Sequence, residues 1–96
     1  MYYRIMGKNI DIGDRTKDKV ISKLERISKL FPEDATAQVV IASEKFTHKV
    51  EVTIPVKKHI IRAETSDNDM MAALDKSIDI LEKQIVKYKK KVQAKE

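Results

Sequence analysis

The chain has 96 residues, 42% hydrophobic and 36% charged, a composition that suits one soluble domain spanning 1–96 with a modest core. It has no cysteine, which excludes a disulfide framework and a thiolate metal site, and no apolar run near the ~20 residues that a membrane span needs. A net charge of +5 and a pI near 9.4 point to a polyanionic partner without saying which, and a start of MYYRIMGKN without an apolar signal core points to the cytoplasm.

Tyr2 to Met6 alternates weakly and carries two aromatics, which predicts a short first strand ending at Gly7. After the loop KNIDI, the segment from Asp14 to Phe31 places Val20, Leu24, Ile27 and Phe31 at steps of four, three and four, so one face of a helix is apolar until Pro32 closes it. On the far side lie Arg15, Lys19, Lys23 and Arg26, and the segment carries a net +3. Thr36–Ser43 and Lys49–Val56 then change period and are rich in β-branched residues, which predicts two strands, with Pro55 expected at a strand end or an edge. A third run, His59–Thr65, follows a turn around Lys57 and Lys58, with Ile61 and Ala63 on one face.

The stretch from Ser66 to Val92 carries the strongest pattern. Leu74, Ile78, Leu81, Ile85, Tyr88 and Val92 keep helical spacing on one side, while Lys76, Lys83, Lys87 and Lys90 fall together roughly opposite. Asp67 and Asn68 are candidate N-caps, with Asp69 in the first turn. Charge is graded along this helix: Ser66–Glu82 sums to −4, and the rest, including Lys89, Lys91 and Lys95, holds only lysines as charged residues up to Lys95. Part of that gradient matches the helix dipole and is compatible with an ordinary solvated helix.

The element order is β-α-β-β-β-α, an α+β fold. A half-polar sheet and two amphipathic helices each have one face to hide, so both helices should pack on one face of a four-stranded sheet. Their two basic backs would then form one continuous cationic surface. Chemistry is otherwise sparse: without a cysteine nucleophile or Gly-rich phosphate loop, no enzyme, catalytic residue, metal site or cofactor is expected. His48 and His59 read as sheet-surface histidines, and Asp75 and Asp79 as partners of surface charges. Phe46, in a hairpin between Lys45 and His48, suits either a buried hairpin edge or a partner contact. The few aromatics favour recognition of folded RNA through shape and phosphate over reading of bases.

Asp69-Met70-Met71-Ala72-Ala73-Leu74-Asp75, followed by Leu81-Glu82-Lys83-Gln84-Ile85 and Lys87-Tyr88-Lys89, resembles the D-M-Y-A-A-I-D … L-E-R-Q-I … K-Y-K pattern of the ribosome hibernation promoting factor family, also called ribosome-associated inhibitor A. Lys23-Leu24-Glu25-Arg26, Glu51-Val52-Thr53-Ile54-Pro55 and Arg62-Ala63-Glu64 fit the same family, with Met71 standing where it usually has Tyr and Leu74 where it has Ile. The resemblance implies a domain similar in shape to double-stranded RNA-binding domains that binds the small ribosomal subunit in the messenger and transfer RNA channel and stops translation by occlusion. Arg15, Lys19, Lys23, Arg26, Lys76, Lys83, Lys87, Lys89, Lys90 and Lys91 are then the expected contacts to ribosomal RNA. Long members of the family add a C-terminal domain that pairs ribosomes, so dimerisation of ribosomes would need a domain absent from these 96 residues, and the chain reads as a short form or a fragment of a long one. A general structured-RNA-binding module and a protein-interaction adaptor are the alternatives.

Overall fold

A computed structural model describes residues 1–94, with side chains through Lys91; the expected core position of Val92 and the lysine at 95 lie outside what it describes. The elements are β1 (Tyr2–Lys8), α1 (Asp14–Ser28), β2 (Thr36–Ser43), β3 (His48–Val56), β4 (His59–Asp67) and α2 (Met70–Ala94). The sheet has the spatial order β1-β2-β3-β4, with β1 parallel to β2 across the α1 crossover and the other neighbours antiparallel. This is the β-α-β-β-β-α architecture that the periodicities predict.

Burial alternates along the strands and explains the layering. Ala37, Val39 and Ile41 of β2, Val50, Val52 and Ile54 of β3, and Ile61 and Ala63 of β4 are buried, whereas their alternate neighbours are more open to solvent. One sheet face is therefore apolar. Val20, Leu24 and Ile27 of α1 and Leu74, Ile78, Leu81 and Ile85 of α2 join the same buried cluster, so both helices lie on that face. Because α1 and α2 each run back along a strand of the same direction, the two helices are parallel to each other.

Several boundaries differ from the sequence reading, each for a local reason. Helix α1 ends at Ser28, three residues before Phe31, because the Leu30 and Phe31 amides bond to the carbonyls of Ile27 and Ser28 in a tightened final turn; Phe31 still reaches the core. β4 runs on to Asp67, and the cap of α2 is Asp69, whose carboxylate accepts the Met71 N–H at 3.3 Å. Asp67 instead accepts from the Asp69 N–H at 2.9 Å and the Lys76 ammonium at 2.8 Å, which ties the strand end to the helix start. β1 continues past Gly7 to Lys8; a Cβ at position 7 would collide with the carbonyl of Ile10, so the loop needs glycine there. Pro55 sits on an inner strand, but the β2–β3 pairing begins only at Gln38 and Thr53, so no ladder on the β2 side needs its missing N–H.

Three polar side chains fasten α2 to the sheet. The Thr65 hydroxyl donates to the Ala73 carbonyl at 2.5 Å and lies 2.7 Å from the hydroxyl of Ser77, a fully buried polar residue on the helix. Gln84 uses both ends of its amide on β4: its Oε1 accepts the Arg62 N–H at 3.1 Å and its Nε2 donates to the Arg62 carbonyl at 2.8 Å. An edge strand is thereby partly closed by a helix side chain standing in for a missing neighbour. At the β3–β4 turn, Lys57 holds a left-handed φ of 48°, a conformation that costs a residue with a Cβ roughly 1–2 kcal/mol.

Replacing Gln84 by Ala should cost about 1–2 kcal/mol, since two bonds to exposed backbone are exchanged for water, and should speed hydrogen exchange at the Arg62 amide specifically. A thermal melt and an exchange experiment check both. Lys76, and after it the Asp69 amide, hold the Asp67 carboxyl below its ordinary pKa. The unfolded chain therefore takes up this proton at higher pH than the folded one, so the stabilisation is complete above about pH 4 and is lost as pH falls through the folded value. Asp67→Asn should narrow the difference in melting temperature between pH 7 and pH 3 relative to the parent chain.

Candidate nucleic-acid interface

The later turns of α2 present lysines that no described carboxylate pairs. Lys83, Lys87 and Lys90 line one shallow depression of about 390 Å³ together with Glu82 and Val86, as their seven-residue span on a helix requires. Lys89 and Lys91 stand beside them, equally exposed. From Lys83 to Lys91 there are five lysines and no acid, so this end of the helix repels other cations and attracts a polyanion.

The earlier half is different. Lys23 bonds Asp75 at 3.0 Å, Arg26 meets Asp79 at 3.4 Å and Lys76 meets Asp67 at 2.8 Å. Asp75 and Asp79 of α2 are thus partners of cations on α1, and Asp67 at the end of β4 is the partner of Lys76 on α2. These pairs also set the helix register: position 23 lies beside 75 and position 26 beside 79, so Lys19 is level with residue 71 and Lys87 stands about 24 Å further along. The expected continuous cationic plate is therefore divided. Arg15 and Lys19 form a patch at one end, the lysines of late α2 another, and a seam of ion pairs runs between them, because packing the helices side by side brings α2's acids against α1's bases. Exposed pairs of this kind are worth under about 1 kcal/mol each, so a phosphate can compete for Lys23 and Arg26.

The fold adds cations that periodicity did not single out. Lys57 of the β3–β4 turn and Lys89 of α2 line the same groove, and the ring of His59 stacks on that of Tyr88 at 5.2 Å with the planes 12° apart. Lys58, beside Lys57 in the turn, is exposed as well. Strand and helix rises contain the signal: His59 is eight residues before the end of β4, about 26 Å, and Tyr88 is eighteen residues after the start of α2, about 27 Å. A helix doubling back along its strand must bring the two together.

The open sheet face is balanced rather than basic. Lys49 pairs with Glu64 and Arg62 with both Glu51 and Glu64, at 2.5 Å, 3.0 Å and 3.6 Å, and Lys49 holds the Glu64 carboxyl below its ordinary range. Phe46 is 79% exposed at the β2–β3 hairpin, which removes the buried-edge reading, and Lys45 lies 5.7 Å from its ring centroid. Among the described residues no group of three His, Asp or Glu is placed to hold a metal ion, and no helix is long and apolar enough to cross a membrane.

Comparison with known proteins agrees with this geometry. The family model for sigma 54 modulation protein / S30EA ribosomal protein matches residues 3–93. A ribosome hibernation promoting factor of Azotobacter vinelandii is 33% identical over 91 residues, covering 95% of this chain and 85% of that protein. A ribosome hibernation promotion factor of Bacillus subtilis is 36% identical over 98 residues and covers 99% of this chain, which spans 52% of it. The crystal structure of the Thermus thermophilus Protein Y N-terminal domain superposes with a TM-score of 0.81 at 28% identity, over 92% of this chain and 97% of that one. With the same fold, the matching family model and relatives a third identical along nearly the whole chain, this protein belongs to the ribosome hibernation promoting factor family, described as sigma 54 modulation protein / S30EA ribosomal protein.

Proposed function

We propose that the chain binds the small ribosomal subunit in the cytoplasm, in the channel that messenger and transfer RNA use, and halts translation by occupying it. The observation that carries this reading is the row of Lys83, Lys87 and Lys90, which no described carboxylate pairs, supported by the neighbouring Lys89 and Lys91, on a helix fastened to the sheet through Thr65, Ser77 and Gln84. A row of ammonium groups on one helix face is suited to track a phosphate backbone, and the sparse exposed aromatics suit recognition of folded RNA by shape. Arg15 and Lys19 add a second anchor at the other end of the helix layer. A rigid body 47 Å long with charge at both ends can span adjacent RNA elements and exclude other occupants of the same channel. The relatives' names support a role in ribosome hibernation, and the charge distribution supports ribosomal RNA as the surface contacted.

Changing Lys83, Lys87 and Lys90 together to Glu should abolish co-sedimentation with small subunits while leaving the melting temperature nearly unchanged, since all three side chains are exposed. Retention of the triple variant on the subunit would refute the assignment. Asp75→Asn with Asp79→Asn removes the partners of Lys23 and Arg26, and should tighten subunit binding at low salt. The slope of log affinity against log salt should steepen by roughly 0.7–0.9 for each released cation that finds a phosphate. Sedimentation at a series of salt concentrations measures it.

A further inference from the structure

A groove of about 430 Å³ opens where α1 ends, walled by Leu30, Pro32 and Tyr88 over a buried floor of Phe31, Val56 and Ile85, and flanked by Lys57 and Lys89. Its size lies within the roughly 300–1,000 Å³ of small-ligand sites. Its chemistry is divided in a particular way: the wall is aliphatic and aromatic, the two rim groups are ammonium ions from opposite elements, and no acidic residue lines it. Neither lysine pairs with a described carboxylate. His59 stacks on Tyr88 and so restrains the orientation of that ring.

The rim lysine of the turn is the second observation. Lys57 adopts a left-handed φ of 48° in a two-residue connection, a position that glycine or asparagine would fill with less strain. The strained turn residue is a lysine, and its side chain borders the groove.

We infer that the groove holds one unstacked nucleotide of an RNA strand, its base against the half-buried Leu30 and Tyr88 and its flanking phosphates on Lys57 and Lys89. An anionic ligand with a flat apolar body matches both parts of the site, and an aromatic ring such as that of Tyr88 accepts any base face. The inference rests on the RNA reading above, because the groove lies on the same half of α2 as Lys83, Lys87 and Lys90 and continues that surface around the helix. It adds what phosphate contacts alone do not supply, a position at which an extruded base distinguishes looped from fully paired RNA.

The test is an NMR titration of the 96-residue chain with adenosine 5′-monophosphate, ribose 5-phosphate, a six-nucleotide oligoadenylate and a fully paired RNA duplex. The mononucleotide should shift the Val56 and Ile85 methyls and the Tyr88 ring in the millimolar range, and the oligonucleotide should do so at least tenfold more tightly. Ribose 5-phosphate and the duplex should leave those resonances in place. Lys57→Gly should weaken mononucleotide binding threefold or more while raising the melting temperature, and Tyr88→Leu should remove the base-dependent shifts. Equal shifts from ribose 5-phosphate, no effect of Lys57→Gly on binding, or occupancy by laurate but not by the nucleotide would each overturn the inference. The triple Glu variant at 83, 87 and 90 should keep the mononucleotide shifts, so failure of subunit binding and failure of the groove are read separately.

Discussion

The structure depends on a single apolar layer between one sheet face and two parallel helices. Strands β2 to β4 bury every second residue and supply Val and Ile at most of those places, so only one side of the sheet can be covered, and both helices must share it. Side-by-side packing then follows from the width of a four-stranded sheet, which accommodates two helices at the usual spacing of 8–10 Å. Every other feature, including the division of charge, is downstream of that constraint.

Charge is where packing and function meet. The stretch Ser66–Glu82, with a sum of −4, reads in isolation as a dipole-matched helix start. In the folded chain Asp75 and Asp79 of α2 face Lys23 and Arg26 of α1, and Asp67, at the end of β4, holds Lys76. The middle of the helix layer is thereby electrically quiet, and the positive potential is concentrated at the far turns of α2, where α1 has already ended. Lys57 and Lys58 reinforce that end because the β3–β4 turn delivers them there.

Small polar devices complete the assembly. Gln84 bonds the outer edge of β4, and Thr65 with Ser77 provides a satisfied polar contact inside the layer. Both fix the position of α2 along the sheet. A helix that slid by one turn would lose these bonds and move its lysines about 5 Å, so the same contacts that stabilise the fold also hold the cationic row in register. Restraint of that kind lets a lysine-rich helix act as a shaped surface instead of a diffuse charge.

The sequence by itself determined the six elements and their order, the apolar faces of both helices and of β3, and the grouping of Lys83, Lys87 and Lys90, because periods of two and 3.6 are local properties that survive any change of partner. The family was legible as well, since its motifs are runs of adjacent residues such as Leu81-Glu82-Lys83-Gln84-Ile85. Tertiary structure alone decided that Lys23, Arg26 and Lys76 face carboxylates, that Asp69 and not Asp67 caps α2, that Gln84 closes a strand edge, and that Lys57 and Lys89 share a groove. Most of these contacts join residues far apart in sequence, 52 and 53 positions in the two cross-helix pairs, while even the short-range cap depends on where β4 stops. Which side chains meet between the two helices is set by how the layers are laid against one another; element lengths predict only contacts between a strand and the helix that follows it, such as His59 with Tyr88.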